Sequence, residues 1–306
     1  MNELAPGMRY VDLEYLGVPQ VIATAVLGGK GHVALVDPGP AVALPTLERQ
    51  LAGLGLGLDD VTALVLTHIH LDHAGATGTI VARRPDTTVF VHERGARHLI
   101  DPTKLLDSAT RLYGDDMDRL WGEFLAVPAA NVRALAGGES IEVGGRELAV
   151  AYTPGHASHH VSYFDAKSRI AFCGDTAGGR IGSARYVMPP TPPPDIDLDL
   201  WKASLAAIRS WRPERLFLTH FGPSDHPETH LDQLATRLDR VAAIARAALE
   251  EGRDDAAQAD AFRRDMRAEL GQHMSETDAR RYELAIPFDH CFYGLARYWR
   301  KRDALS

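Results

Sequence analysis

Along the first third of the chain, short apolar runs alternate with glycine and proline punctuation, the pattern of strands cut by turns. Residues 9–16, 21–27 and 32–36 are three such runs, rich in Val, Leu and Tyr. Asp37-Pro38-Gly39 then makes a turn, and residues 41–54 carry the apolar spacing of a helix, stopped by Gly55-Leu56-Gly57. Residues 61–66 are nearly all apolar, as in a strand buried on both faces, and a polar cluster followed by a helical pattern over 74–84 comes next. Such a strand–turn–helix passage is where α/β proteins commonly place a ligand site.

Residues 94–126 change character. Leu99, Leu105, Leu106, Leu112, Leu120 and Phe124 recur at helical spacing, broken by Pro102 and Gly114. Strand patterns return at 147–152, 161–164, 169–172 and 215–218, with a helix over 200–210 between the last two. The Pro-Pro-Thr-Pro-Pro-Pro run at 189–194 fits neither a sheet interior nor a helix interior and is expected as a stiff surface segment. From residue 230 onward the pattern is helical almost throughout, with breaks at Gly252 and Pro287. The expected division is an α/β body over 1–230 and a helical extension over 231–306. Phe288, Cys291, Phe292, Leu295 and Trp299 share one helical face, which reads as core packing or as the seam of a homodimer. The expectation drawn from it is a homodimer through the C-terminal helices.

Composition narrows the function classes. The 306 residues are 45% hydrophobic and 24% charged, an ordinary globular balance, with a formal net charge of −8. Residues 231–306 hold 13 basic and 14 acidic side chains, so the acidic excess sits in the body. Neither part has the basic excess that nucleic acid requires, and no nucleic-acid partner is expected. Two cysteines, Cys173 and Cys291, rule out a disulfide framework and a cysteine-type zinc finger. The first ten residues lack a signal-peptide pattern, and no stretch approaches the ~20 apolar residues of a membrane span. A cytoplasmic protein without membrane contact is expected.

Five of the 14 histidines and three aspartates carry the chemistry. His68-Ile69-His70-Leu71-Asp72-His73 places four metal-ligand side chains in six residues, directly after a buried strand. In extended chain, side chains two apart project to one side, so His68 and His70 can share a metal. Asp72 and His73 fall where the chain turns into a helix and can face a second metal. A solvated polar turn is the bland alternative, and a buried strand leading straight into this pattern makes it a poor one. His156, Asp175 and His220 each lie just past a strand end, and strand ends converge on one rim of a sheet. Alone, each reads as a capping or surface residue; with the 68–73 cluster they form one constellation.

These pieces resemble the metallo-β-lactamase-fold superfamily of metallohydrolases: Asp37-Pro38-Gly39, His68-x-His70-x-Asp72-His73, Thr153-Pro154-Gly155-His156, Gly174-Asp175 and Thr219-His220, in the family's order. The resemblance implies an α/β fold, an αββα sandwich, with two divalent metal ions in a cleft at one edge. It assigns His68, His70 and His156 to one metal and Asp72, His73 and His220 to the other, with Asp175 bridging and Asp72 also catalytic. Asp37 and His160 are expected behind the ligands, fixing them by hydrogen bonds or packing. Imidazoles and carboxylates without thiolates suit zinc, with iron or manganese as alternatives. Two such ions hold a bridging hydroxide at neutral pH, and the implied activity is hydrolysis of an ester, thioester or lactone carbonyl of a small-molecule substrate, with phosphoesters second.

Departures from relatives narrow this further. True zinc β-lactamases of the main class carry Cys where Asp175 stands. Flavodiiron proteins carry Glu at the place of His70, and the nucleases add a basic face. Glyoxalase II is closer, yet its Gly-Cys-Gly-Arg stretch is here Ala177-Gly178-Gly179-Arg180, and its glycine is here His159. Asp101-Pro102-Thr103-Lys104-Leu105-Leu106, Leu112-Tyr113-Gly114, the proline run with Asp195, and His220-Phe221-Gly222 resemble a glyoxalase II-like branch of bacterial and archaeal proteins. By that resemblance and by location, Lys104, Tyr113, Arg180 and His226 are candidate substrate contacts. His226, His230, His92 and His98 otherwise read as surface groups, and Cys173 as a buried, inert thiol. Two rival readings rank below the hydrolase. His68, His156 and Asp175 alone would make the two-histidine, one-carboxylate set of a mononuclear iron oxygenase, as in persulfide dioxygenases of this fold. A metal-binding protein without catalysis is the third.

Overall fold

A computed structural model describes residues 2–182, 186–251 and 254–304. The first sheet has seven strands in chain order: β1 (Glu3–Ala5), β2 (Met8–Asp12), β3 (Ala23–Leu27), β4 (Val33–Val36), β5 (Val61–Val65), β6 (Thr88–His92) and β7 (Val132–Leu135). It is antiparallel through β4 and parallel from β4 to β7. The helices α1 (Leu44–Gly53), α2 (Leu71–Ala74), α3 (Thr77–Arg83), α4 (Glu93–Ile100), α5 (Thr103–Tyr113) and α6 (Met117–Leu120) fall between its parallel strands. The second sheet holds β8 (Ser140–Val143), β9 (Arg146–Tyr152), β10 (Val161–Asp165), β11 (Ile170–Phe172), β12 (Arg215–Leu218) and β13 (Gly222–Ser224), in the order β13-β12-β11-β10-β9-β8. Helix α7 (Leu198–Ser210) crosses between β11 and β12, the one parallel pair of this sheet. Four more helices close the chain: α8 (Pro227–Glu250), α9 (Asp255–Gly271), α10 (Glu276–Ala285) and α11 (Phe288–Asp303).

The burial pattern follows from this layering. Between the sheets lie Leu27, Val36, Val65, Tyr163, Phe172 and Phe217, all at most 1% exposed. The outer face of the first sheet is covered from α1, α3 and α4, through Leu47, Leu51, Ile80 and Leu99. On the second sheet, Trp201 and Leu205 of α7 join Leu234, Phe262 and Phe292 of the C-terminal helices in one cluster. Helix–sheet–sheet–helix is the αββα sandwich. β4 and β11 are buried at every position and β5 at all but Thr62, which is why their sequence reads as apolar runs. Side-chain caps start several helices: Asp197 accepts from Leu200 N at 3.0 Å, Asp254 from Ala257 N at 2.9 Å, and Ser275 from Asp278 N at 3.2 Å.

Several expectations are corrected. Strands β6, β7, β8 and β13 were not expected: β6 carries only the three-residue apolar run Val89-Phe90-Val91, β8 alternates exposed and buried positions over only four residues, and β7 fully buries only Leu135. The C-terminal helices break once more than expected, between Gly271 and Glu276, while Gly252 lies outside the described residues. Helix α8, the first of the C-terminal helices, begins at Pro227 and includes residue 230. The proline run is a surface segment only in its second half: Pro192 and Pro193 are half-buried and Pro194 is exposed, whereas Pro189, Pro190 and Thr191 are buried, with Thr191 Oγ1 donating to Cys291 O at 3.2 Å. Gly294 in α11 permits that approach, because a Cβ there would overlap the Thr191 and Pro192 backbone. Phe288, Cys291, Phe292 and Leu295 are at most 1% exposed within the single chain, packed on its own core. Those four residues are covered within the single chain, while Trp299, the fifth of the stripe, is half-buried. His92 and His230 are buried as well, not surface groups. His230 anchors α8 to the body: its Nε2 lies 2.8 Å from Ala177 O and its Nδ1 3.2 Å from Ser224 Oγ.

Candidate metal centre

Strand ends deliver the site. His68 and His70 lie on the extended segment after β5, Asp72 and His73 on the short helix α2 that follows, and His156 on the loop after β9. Asp175 sits in the single helical turn Gly174–Ala177 after β11, and His220 between β12 and β13. All seven converge. His70 Nδ1 lies 3.0 Å from both His68 Nε2 and His156 Nε2. His220 Nε2 lies 3.1 Å from Asp72 Oδ2, and His73 Nε2 3.8 Å from the same oxygen. Asp175 stands between the two groups, Oδ2 at 3.4 Å from His156 Nε2 and Oδ1 at 3.2 Å from His73 Nε2. Two glycines make room. Gly155, at φ 129°, lies against the Trp201 backbone, and Gly174, at φ 44°, lies against Thr67 and His160; a Cβ would overlap in either place.

Four of the five imidazoles have their other nitrogen held. His73 Nδ1 is 2.8 Å from Asp37 Oδ2, His156 Nδ1 2.8 Å from Pro190 O, and His220 Nδ1 3.0 Å from Val21 O. His68 Nδ1 is 3.1 Å from Thr67 Oγ1, whose hydroxyl donates to Asp37 Oδ2 at 2.7 Å. These acceptors require the proton on Nδ1 and leave each of the four Nε2 lone pairs facing the cluster, as metal ligation demands. Asp37 is the hub. It is fully buried and also accepts from Thr67 N at 2.8 Å and Thr219 Oγ1 at 2.7 Å. His160 touches no ligand by hydrogen bond; its ring stacks on His68 at 5.0 Å and its Nδ1 meets the Thr153 and Thr176 hydroxyls.

Electrostatics divide the cluster. Burial and the neighbouring imidazoles hold His68 well below the ordinary histidine range, burial and His156 put His70 at about 4, and burial depresses His156 as well. Burial also opposes charge on His73 and His220, yet the carboxylates of Asp175 and Asp72 outweigh it and raise both. One group is therefore a neutral three-nitrogen set, and the other is a place where positive charge is favoured. Three combinations of these residues bring ligand atoms within 4.8 Å of one another: His68, His70 and His156; His68, His73 and Asp175; and Asp72, His73 and His220. His73 Nε2 and Asp175 Oδ1 are buried without a hydrogen-bond partner, a costly arrangement for two polar atoms facing one point. Separations of 3.0 to 3.4 Å match the ~3.3 Å edge of a tetrahedron with metal–ligand bonds of about 2.0 Å. The residues fit divalent metal, and the nitrogen and oxygen donors fit zinc, iron or manganese.

A cleft of about 950 Å³ opens above the cluster, with His70, Asp72, Asp175 and His220 in its floor. Of the four candidate substrate contacts, Lys104 and Tyr113 line it, while Arg180 and His226 do not. Arg180 donates to Pro223 O at 3.0 Å, and His226 is exposed just before α8. His98, expected at the surface, is half-buried on the cleft wall. Sequence reasoning missed Thr67 and Thr219, although each precedes a ligand in a Thr-His pair that a shared acceptor would explain. It also missed Tyr15 and His290 on the walls, whose approach depends on tertiary packing, while Arg94, Arg97 and Trp121 belong to the 94–126 stretch that the sequence reading set at the cleft border. Among the described residues, no helix is long and apolar enough to cross a membrane.

Comparison with known proteins places these observations. A family model, that of the metallo-beta-lactamase superfamily, matches residues 17–220. A metallo-beta-lactamase fold-containing protein of Sulfurisphaera tokodaii is 27% identical over 236 residues, 76% of this chain and 85% of its own length. A hydroxyacylglutathione hydrolase of a Synechococcus strain is 35% identical over 148 residues, 48% of this chain; the match spans about half (45%) of that relative. Among solved structures, a metallo-beta-lactamase family protein from Thermus thermophilus superposes with a TM-score of 0.72 at 24% identity, covering 99% of this chain and 96% of that one.

Proposed function

The chain belongs to the metallo-beta-lactamase superfamily, and from that premise we propose that it is a dinuclear metal-dependent hydrolase acting on an ester, thioester or lactone carbonyl. The observation that carries this reading is the Asp175 carboxylate, whose two oxygens face two separate ligand groups. His68, His70 and His156 would hold one ion, Asp72, His73 and His220 the other, with Asp175 shared. Zinc is the first choice on donor type. With two divalent ions bound, these residues would provide a hydroxide nucleophile at neutral pH and a polarising contact for the carbonyl oxygen.

The chain's own residues do the rest. Asp37, with Thr67 and Thr219, fixes the ring planes of His68 and His73 so that little reorganisation is needed on binding. Asp72 opens onto the cleft, its side chain 18% exposed, and is placed to take up or release a proton beside the scissile bond. The cleft walls hold the substrate over this floor and exclude bulk water. The hydroxyacylglutathione hydrolase relative supports a carbonyl substrate over a phosphoester. A hydrolysis panel of acyl thioesters, lactones, aryl esters and phosphodiesters tests the reading, run on metal-loaded and chelator-treated protein. The expected result is turnover of one carbonyl class that chelation abolishes and zinc restores. Full activity after complete metal removal would overturn it.

A further inference from the structure

The cleft has two unlike ends. At one, Tyr113 and Tyr15 pack on Trp121 with ring centroids 5.0 and 5.9 Å away, and His290 meets Tyr113 edge-on at 4.8 Å. Leu120, Leu284 and Ile286 complete this apolar end, next to the Asp72 side of the cluster. At the other, α4 and the start of α5 present Arg94, Arg97 and Lys104 near His159, which meets His70 at 5.6 Å. Lys104, Ser108 and Arg111 share one face of α5 at i, i+4 and i+7, extending positive charge about 10 Å along the wall.

Among the described residues, these cations lie beside the cleft without a neutralising carboxylate. Arg49, Arg83, Arg119, Arg209, Arg246 and Arg300 each hold a carboxylate within 2.9 Å. Among the described residues no carboxylate lies within ion-pair distance of Arg94, Arg97, Lys104 or Arg111; Arg94 faces the Tyr152 ring at 5.5 Å, and Arg97 Nε donates to His98 Nε2 at 3.1 Å. Two acids line the same wall, Glu93 and Asp195, and Asp195 is engaged by the Ser158 hydroxyl and backbone amide. The wall carries an excess of two positive charges on a chain of net charge −8. Cations beside a cleft with low-dielectric walls steer anions toward it and interact with them more strongly than on an open surface.

We infer that the substrate carries an apolar body on one side of its scissile carbonyl and an anionic group on the other, the anion seated on Arg94, Arg97 and Lys104. This rests on the hydrolase reading, and it is tested by binding so that the two fail separately. Three non-hydrolysable S-hexyl thioethers serve as probes: of N-acetylcysteamine (neutral), of glutathione (carboxylates) and of coenzyme A (phosphates). Titration calorimetry on metal-loaded full-length protein at low salt is expected to show at least one anionic thioether binding tenfold or more tighter than the neutral one. The identity of that probe says whether the anion is carboxylate or phosphate. The preference should fall below threefold in 0.5 M salt and in Arg97→Gln/Lys104→Gln, and persist in Arg97→Lys/Lys104→Arg. Equal affinities for all three, binding of none, or a preference that survives the charge-removing pair would overturn it. Turnover of the corresponding hexanoyl thioesters reports on the hydrolase reading alone.

Discussion

The floor and the walls of the cleft are built in different ways. Every proposed ligand lies within eight residues of a strand end, and four of the five imidazoles have their second nitrogen anchored. The walls come from α4–α6 and from residues 284–291, elements with their own amphipathic faces that meet the sheets only through tertiary packing. Rigid placement suits a group that must hold charge at fixed points. Helical walls can change their side chains without disturbing the floor, so chemistry and specificity are separable here.

The largest effect that would break this comparison is expected at Asp175. Asp175→Asn should cut kcat/KM a thousandfold or more and reduce bound metal, with the thermal transition otherwise cooperative. A loss under tenfold, measured by steady-state kinetics with metal analysis, would remove the shared carboxylate from the account. On the wall side, Phe292→Ala should cost about 3–5 kcal/mol in chemical denaturation, since the ring is fully buried within the chain. A cost below 1 kcal/mol would mean that the C-terminal helices are not part of one core.

A third prediction concerns pH. Burial brings His230 down to about 4, so the unfolded chain binds this proton first as pH falls. Its contribution is present above pH 6.5 and is lost as pH falls toward 4. Between pH 7.5 and 5 the wild type should lose about 2 kcal/mol more stability than His230→Gln, read from urea midpoints. Parallel pH profiles for the two proteins would reject a neutral, anchoring His230. Asp37→Asn is expected to act through the ligands it holds, lowering metal affinity or activity about 10–100-fold. Competition with a chelator of known affinity would measure it, and an unchanged affinity would take the hub role away.

The same contrast explains what could be read in the sequence. The constellation from His68 to His220 is legible because strand-to-loop transitions leave a local signature, a buried run followed at once by polar ligands. β4, β5, β11 and β12 were expected nearly as they lie, for the same reason. β7 and β8, partly exposed and four residues long, carry too short a pattern to register. Cys291 and Phe292 were legible as an apolar stripe, but periodicity gives only the face and not its partner, which turned out to be this chain's α8 and α9. Arg180 follows a motif in sequence yet points at Pro223, away from the cleft, because a residue number near a ligand says nothing of side-chain direction. Pro189 and Pro190 were misplaced on composition alone: proline cannot donate, yet its carbonyl can accept, and Pro190 O holds His156.

The central claim is two metal ions held by two ligand groups around one carboxylate. Native mass spectrometry of the full-length protein loaded with zinc counts them directly, on the wild type and on His70→Ala and His220→Ala, each of which disrupts one group. The account predicts two ions per chain in the wild type and one in each variant. A single ion in the wild type, or one variant losing both ions while the other keeps two, would contradict it.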